Sequence, residues 1–190
     1  NLDFYHKGKL VPGAEIMPYS KIFKFLDFLA VDLGGITGSL GSDKKPKVFK
    51  IGKDLNLAPL ICYESIFPGH VAEFCREGAD ILLVITNDGW WRNTDGFKQH
   101  MYYASLRAIE NRREVLRSAN TGITCRIDKL GKIHERSQWW TKKVLTVKVN
   151  SFHNLTFYSK YGDYIGRLAS FIGSFFILGM IVKNKSDNVN

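Results

Sequence analysis

Cysteine is scarce in this chain: 190 residues hold three, Cys62, Cys75 and Cys125. Three thiols cannot all pair within one chain, so at least one is free. No C-x-x-C occurs, and the five histidines are scattered without ligand spacing, so no metal site and no cofactor is expected. A phosphate-cradling G-x-x-x-x-G-K-[ST] run is missing, and so is any internal repeat. The chain opens on Asn1 without a charged-then-apolar secretory pattern, and is expected to be the C-terminal part of something longer. Acidic residues are the minority charge, 18 against 27 basic, for a net +9. The basic residues are dispersed in short pairs such as Lys44-Lys45 and Lys142-Lys143, which argues against a nucleic-acid arm and leaves phospholipid head groups as a suitable anionic partner.

What is present begins with hydrophobic substance, 45% of residues, enough for a substantial core and incompatible with compositional disorder. The longest apolar run, Leu168 to Val182 (LASFIGSFFILGMIV), carries no charge. Fifteen residues are fewer than the ~20 of an ordinary membrane span, so a buried core helix competes on length. The flanks favour a membrane. Arg167 can snorkel at one interface beside Tyr161 and Tyr164, and Lys183 and Lys185 follow the other end. The chain is therefore divided into a folded domain over residues 1–164, a transmembrane helix over 165–182 and a basic cytoplasmic tail over 183–190. The domain is then expected on the outer side of the membrane.

The stretch Pro59-Leu60-Ile61-Cys62-Tyr63-Glu64-Ser65 places a thiol where an apolar strand ends and a helical pattern is about to begin. At such a turn a sulfur can be exposed to backbone N–H groups and cations that favour its thiolate. The same composition also suits an inert buried thiol.

Along the chain, residues 1–18 read as a strand end followed by a turn-rich loop. Ile22, Phe25, Leu26 and Leu29 fall at helical spacing, and the glycine-rich Leu33 to Pro46 predicts a mobile loop. Strands are expected at Val48–Ile51, Asn56–Ile61, Asp80–Thr86, Val115–Ser118, Thr124–Asp128 and Val144–Val149, with helices at Gly69–Gly78 and Phe97–Arg113. The near-continuous apolar run of Asp80–Thr86 suits a strand covered on both faces. Asn87-Asp88-Gly89-Trp90-Trp91 is either a site-forming loop or an ordinary turn, and Gln99 and His100 either face a site or serve structure. The pattern suggests a layered α+β or α/β domain.

Taken together, Tyr5-x-Lys7-x-x-Leu10-Val11-Pro12, Glu15, Ile61-Cys62-Tyr63-Glu64, Asn87-Asp88-x-Trp90, Gln99-His100, Arg107-Ala108-x-Glu110 and Arg117-x-x-Asn120-Thr121-Gly122 resemble the nitrilase, or carbon-nitrogen hydrolase, superfamily. More narrowly they resemble its apolipoprotein N-acyltransferase family. The resemblance implies a partial nitrilase-like αββα sandwich followed by one C-terminal transmembrane helix. It implies an enzyme of the bacterial inner membrane, with the catalytic domain facing the periplasm. It also implies Glu-Lys-Cys catalysis, in which an acyl chain moves from a phospholipid through a cysteine thioester to the N-terminal amine of a diacylated apolipoprotein.

On the matching positions, Cys62 would be the nucleophile and Lys7 the cation beside it, with Glu15 orienting Lys7. Tyr63, Glu64 and Trp90 would border the site. The family's general-base glutamate lies upstream of the lysine, and no glutamate in this chain matches it by motif. Gly13-Ala14, Arg92 and Phe97 depart from the family's usual residues, Arg92 standing where glycine is common. The greasy segment Ile22–Val31 and the loop after it are candidates for a lipid-facing lid. The competing readings are a nitrilase-type amidase and a catalytically inactive membrane-tethered fragment.

Overall fold

The computed structural model describes residues 3–12, 14–15 and 41–187. The helix expected around Ile22–Leu29, the lid it would form and the first part of the glycine-rich loop lie outside the described residues. Among the described residues a six-stranded sheet runs in the order β1 (Phe49–Ile51), β2 (Leu55–Ile61), β3 (Ile81–Asn87), β4 (Glu114–Asn120), β5 (Cys125–Ile127) and β6 (Ile133–His134). β2, β3 and β4 are parallel, and the outer pairings are antiparallel. Pro59 has no N–H to give a ladder. It is tolerated because β1 reaches only as far as Leu57, leaving β2 unpaired on that side.

Helix α1 (Pro68–Arg76) connects β2 to β3, and helix α2 (Gly96–Asn111) connects β3 to β4. Proline at the first turn of α1 has no N–H to leave orphaned, and Gly78, at φ +92°, provides the stop. Both helices cover one face of the sheet. Ala58, Leu60, Leu82, Val84 and Val115 pack there against Val71, Phe74, Met101, Ala104 and Ala108. Leu60 and Phe74 are wholly buried, and each such side chain contributes about 1.5–3 kcal/mol.

The alternate residues of the strands are not buried in the same way. Leu83 and Leu116 line an open groove with Val144, Leu145 and Val147, and Ile85 is half exposed. Among the described residues, then, β3 is covered on one face, where its apolar run suggested two. One helix layer and one sheet layer of the αββα arrangement are present among them.

Three further elements differ from the sequence reading. Residues 144–149, expected as a strand, make no ladder; Val144 is 89% exposed, and alternation without a partner strand leaves its backbone unpaired. β6 and a short helix α3 (Phe157–Tyr161) are additional. α3 is held by tertiary bonds that a sequence pattern does not reveal: Arg76 donates to the Ser159 carbonyl at 2.7 Å and Ser159 Oγ to Asn111 Oδ1 at 2.9 Å.

Helix α4 (Tyr164–Asp187) is longer than the expected span. Its segment Tyr164–Asn184 has a mean hydropathy of 1.9 with none of its apolar window buried. At 1.5 Å per residue those 21 residues extend about 31 Å, the thickness of a bilayer's hydrocarbon core. The helix is long enough and apolar enough to cross a membrane. Phe157 packs against Tyr161 and Tyr164 just before it, with ring centroids 4.6 and 4.8 Å apart. That aromatic cluster is exposed at the start of the helix, as interfacial anchors are.

Candidate active site

In a sheet with parallel central strands, side chains at the carboxyl ends converge on a common crevice. Here those ends deliver Cys62 just after β2, Asn87 and Asp88 at the end of β3, and Asn120 and Thr121 at the end of β4. Cys62 opens a 3₁₀ turn, Cys62–Ile66, with φ +54°. A left-handed backbone costs a non-glycine residue about 1 kcal/mol or more, and such strain collects where a side chain must be aimed. The thiol is partly exposed and unpaired, whereas Cys75 and Cys125 are buried. Burial pushes the Cys75 thiol up to about 12 and that of Cys125 to about 11, so both are inert as nucleophiles.

Cys62 lines a cavity of about 600 Å³ with Val11, Ala14, Glu15, Tyr63, Ile66, Asn87, Trp90, Trp91, Gln99, His100 and Tyr103. The walls are predominantly apolar, and the Trp90 indole is 71% exposed at the rim. Trp91 packs against Gly96, so close that a Cβ there would stand 2.5 Å from its ring.

Lys7 lies beside this wall. Its Nζ donates to both oxygens of Glu15, at 2.9 and 2.7 Å, and the Val11 N–H also donates to Glu15 at 2.8 Å. The lysine side chain is only 11% exposed. Solvent screening is weak for so enclosed an ammonium, which strengthens its pairing with Glu15.

Glu64 does not face the cavity. Its carboxylate, wholly buried, accepts from Tyr5 OH at 2.5 Å, from the Gly8 N–H at 2.6 Å and from the Ile61 N–H at 2.7 Å, and lies 3.1 Å from His70 Nε2. Glu64, two residues after Cys62, thus binds Tyr5 and Gly8, which lie on either side of Lys7 in sequence. Burial alone would lift the Glu64 carboxyl, but the bonds from His70, Tyr5 and the two backbone N–H groups hold it below the usual carboxylate range. Burial and the same carboxylate push the Tyr5 phenol well above its ordinary value, so it remains a donor. Gly8 permits the approach: a Cβ there would sit 2.9 Å from the Asp43 carbonyl and 3.3 Å from Glu64 Oε1.

A second buried network lies under the cysteine. Arg117 NH2 donates to Asp88 Oδ2 at 2.7 Å, His100 Nδ1 lies 3.0 Å from Asp88 Oδ1, and Thr86 Oγ1 donates to Asp88 Oδ1 at 3.1 Å. Burial would raise the Asp88 carboxyl, but His100 and Arg117 bring it below its ordinary value. Gly122 packs against this carboxylate, where a Cβ would lie 2.1 Å from Asp88 Oδ2.

Of the residues expected from sequence, Cys62, Tyr63, Glu15 and Trp90 line one cavity. Lys7 bonds to its wall, and Glu64 stands behind it as a tether. Sequence reasoning passed over Asp88 and Arg117 as site residues. The signal for Arg117 was a lone charge within an apolar strand; Asp88 was masked by the turn character of Asp-Gly. No group of three or more metal-ligating side chains occurs among the described residues.

A helix-covered mixed sheet with a cysteine at the carboxyl edge of its parallel strands is the arrangement expected of a nitrilase-type domain. Residues 4–152 match the family model Carbon-nitrogen hydrolase, and the chain belongs to that family. It is similar to the apolipoprotein N-acyltransferase of Chlorobaculum tepidum, with 39% identity over 168 residues, covering 86% of this chain and 31% of that protein. The protein of the same description from Thermotoga maritima is 33% identical over 160 residues, covering 84% and 31%. The chain therefore spans about a third of the length of these relatives. Among solved structures, a mutant of the Nesterenkonia AN1 amidase from the nitrilase superfamily aligns with a TM-score of 0.47 at 18% identity, covering 55% of this chain and 41% of that one.

Proposed function

We propose that the chain is the C-terminal part of an apolipoprotein N-acyltransferase. On this reading it moves an acyl chain from a membrane phospholipid to the α-amine of a diacylglyceryl-cysteine lipoprotein. The observation that carries it is a partly exposed cysteine on a strained turn at an apolar cavity, in a chain whose last helix is long and apolar enough to enter the same bilayer as the acyl donor. Relatives described as apolipoprotein N-acyltransferases support the lipoprotein acceptor.

The reaction has two steps. The Cys62 thiol gives its proton to a general base and attacks the sn-1 ester carbonyl. The tetrahedral oxyanion is stabilised by the Lys7 ammonium, which Glu15 holds in place; one fixed donor at a developing charge is worth about 3 kcal/mol. The intermediate collapses to a thioester and expels the lysophospholipid alkoxide, which takes back the proton. The lipoprotein amine then attacks the thioester, loses a proton and releases the thiol. Two moderate barriers replace one high one. The family resemblance puts the general base on a glutamate N-terminal to Lys7.

A domain on the periplasmic face of the inner membrane fits this chemistry, because lipoproteins with a free cysteine amine are the acceptors. The test is intact-mass analysis of the full-length protein after incubation with phospholipid vesicles. An acyl adduct is expected, absent in Cys62→Ala and discharged by a diacylated lipopeptide. Hydrolysis of short amides without any adduct from phospholipid would favour the amidase reading instead.

A further inference from the structure

Cys62 holds a left-handed φ of +54°, which L residues resist because Cβ crowds the following carbonyl. Something must oppose its relaxation. The turn is gripped at both ends: the Arg107 guanidinium donates to the Ile66 carbonyl at 3.3 Å, and the Cys62 carbonyl has two polar neighbours, Ser65 Oγ at 2.8 Å and His100 Nε2 at 3.2 Å.

Ser65 has one hydroxyl proton, and it goes to the Cys62 carbonyl. Ser65 Oγ also lies 3.0 Å from His100 Nε2, and with its proton so used it faces the ring as an acceptor. Both neighbours of Nε2 then present oxygen lone pairs, which a proton on Nε2 would satisfy. The opposite edge of the ring is wedged between Asp88 Oδ1 at 3.0 Å and Arg117 NH2 at 3.2 Å. Arg117 is anchored in turn on the Ile123 carbonyl at 2.8 Å. All three side chains are buried, which restricts rotation of the ring.

We propose that His100 is a positioning residue for the nucleophile: its Nε2–H, aimed by Asp88 and Arg117, locks the Cys62 carbonyl and so keeps the sulfur turned into the cavity. This rests on the reading of Cys62 as nucleophile but requires no particular acyl donor.

The test compares His100→Gln with His100→Asn in the full-length protein. A glutamine amide nitrogen reaches the depth of Nε2, whereas an asparagine amide reaches only that of Nδ1. Two rates are read by intact mass: alkylation of Cys62 by iodoacetamide, and acyl loading from phospholipid vesicles. The expected result is near-parent rates for His100→Gln and a fall of roughly tenfold or more in both for His100→Asn, with the KM for phospholipid unchanged. Equal rates in the two variants would overturn the proposal.

Should His100→Asn fail to fold, Ser65→Ala removes the other donor to the same carbonyl and leaves the ring's contacts with Asp88 and Arg117. It is expected to slow alkylation severalfold, and an unchanged rate would count against a locked carbonyl. The alkylation contrast between the variants, with a parent protein that never loads an acyl group, would sink the acyltransferase reading alone.

Discussion

The Tyr5 phenol donates to Glu64 Oε1 at 2.5 Å, joining the segment that carries Lys7 to the turn that carries Cys62. The two segments are far apart in sequence, and one wholly buried carboxylate with four donors around it holds them together. Replacing Glu64 by Gln keeps the volume but turns an amide NH₂ toward N–H and O–H groups that need an acceptor. The expected loss is about 3 kcal/mol of stability, measured by thermal unfolding, together with loss of the Cys62 acyl adduct. An adduct formed at the parent rate would show that the tether is dispensable.

The same carboxylate sets a pH dependence. Glu64 and Asp88 are both held below their unfolded values by hydrogen bonds and ion pairs that outweigh burial. Their contribution is complete above the unfolded carboxylate pKa of about 4 and lost as pH falls through the lower folded values. Glu110 acts in the opposite sense, since burial lifts it above its ordinary value, but it is one group against two. Unfolding temperature is expected to be level down to about pH 5 and to drop below pH 4. In Glu64→Gln that acid limb should be shallower.

Gly122 borders the other carboxylate. A methyl group there would meet Asp88 Oδ2 at 2.1 Å, and Asp88 has no free direction because Arg117, His100 and Thr86 surround it. Gly122→Ala is expected to cost about 1–3 kcal/mol and to reduce acyl loading, through displacement of Asp88 from His100. Gly41→Ala, with open space around the added carbon, is the matched control.

Arg92 stands on a backbone conformation that favours glycine. Its φ of +48° and ψ of −148° fall near a region that glycine alone occupies freely. Its side chain is exposed. Arg92→Gly should relieve strain with no lost packing and raise stability by about 1 kcal/mol, read as a higher unfolding temperature. A lower one would mean the arginine side chain contributes more than its backbone costs.

How much of this was legible beforehand depends on the range of the interactions involved. The helices and the parallel strands were visible because their periodicity is local: the apolar run ending at Ile61 and the Gly78 stop each declare themselves within a few residues. Cys62, Tyr63 and Trp90 were placed at the site by motif, and the cavity gathers them. Glu64 was expected to border the site but serves as a tether, because its partners Tyr5 and Gly8 are 59 and 56 residues away. The Asp88–Arg117 pair, 29 residues apart, was hidden in the same way. Residues 144–149 failed as a strand because alternation specifies a face without supplying a partner.

Lys7 and Glu15 offer the sharpest test of the chemistry, because their pairing separates charge from orientation. The lysine donates to both carboxylate oxygens, and the Val11 N–H braces the same group. Lys7→Met removes the charge and should abolish the adduct, a loss on the order of 100-fold or more if Lys7 stabilises the oxyanion. Glu15→Gln keeps the charge but frees the ammonium to swing, so loading should fall less, on the order of tenfold, with the KM for phospholipid nearly unchanged. Iodoacetamide alkylation adds a control, since it passes through no oxyanion: Lys7→Met should slow it far less than it slows acyl loading. Equal slowing of the two reactions would place the action of Lys7 on the thiol itself and remove it from the tetrahedral step.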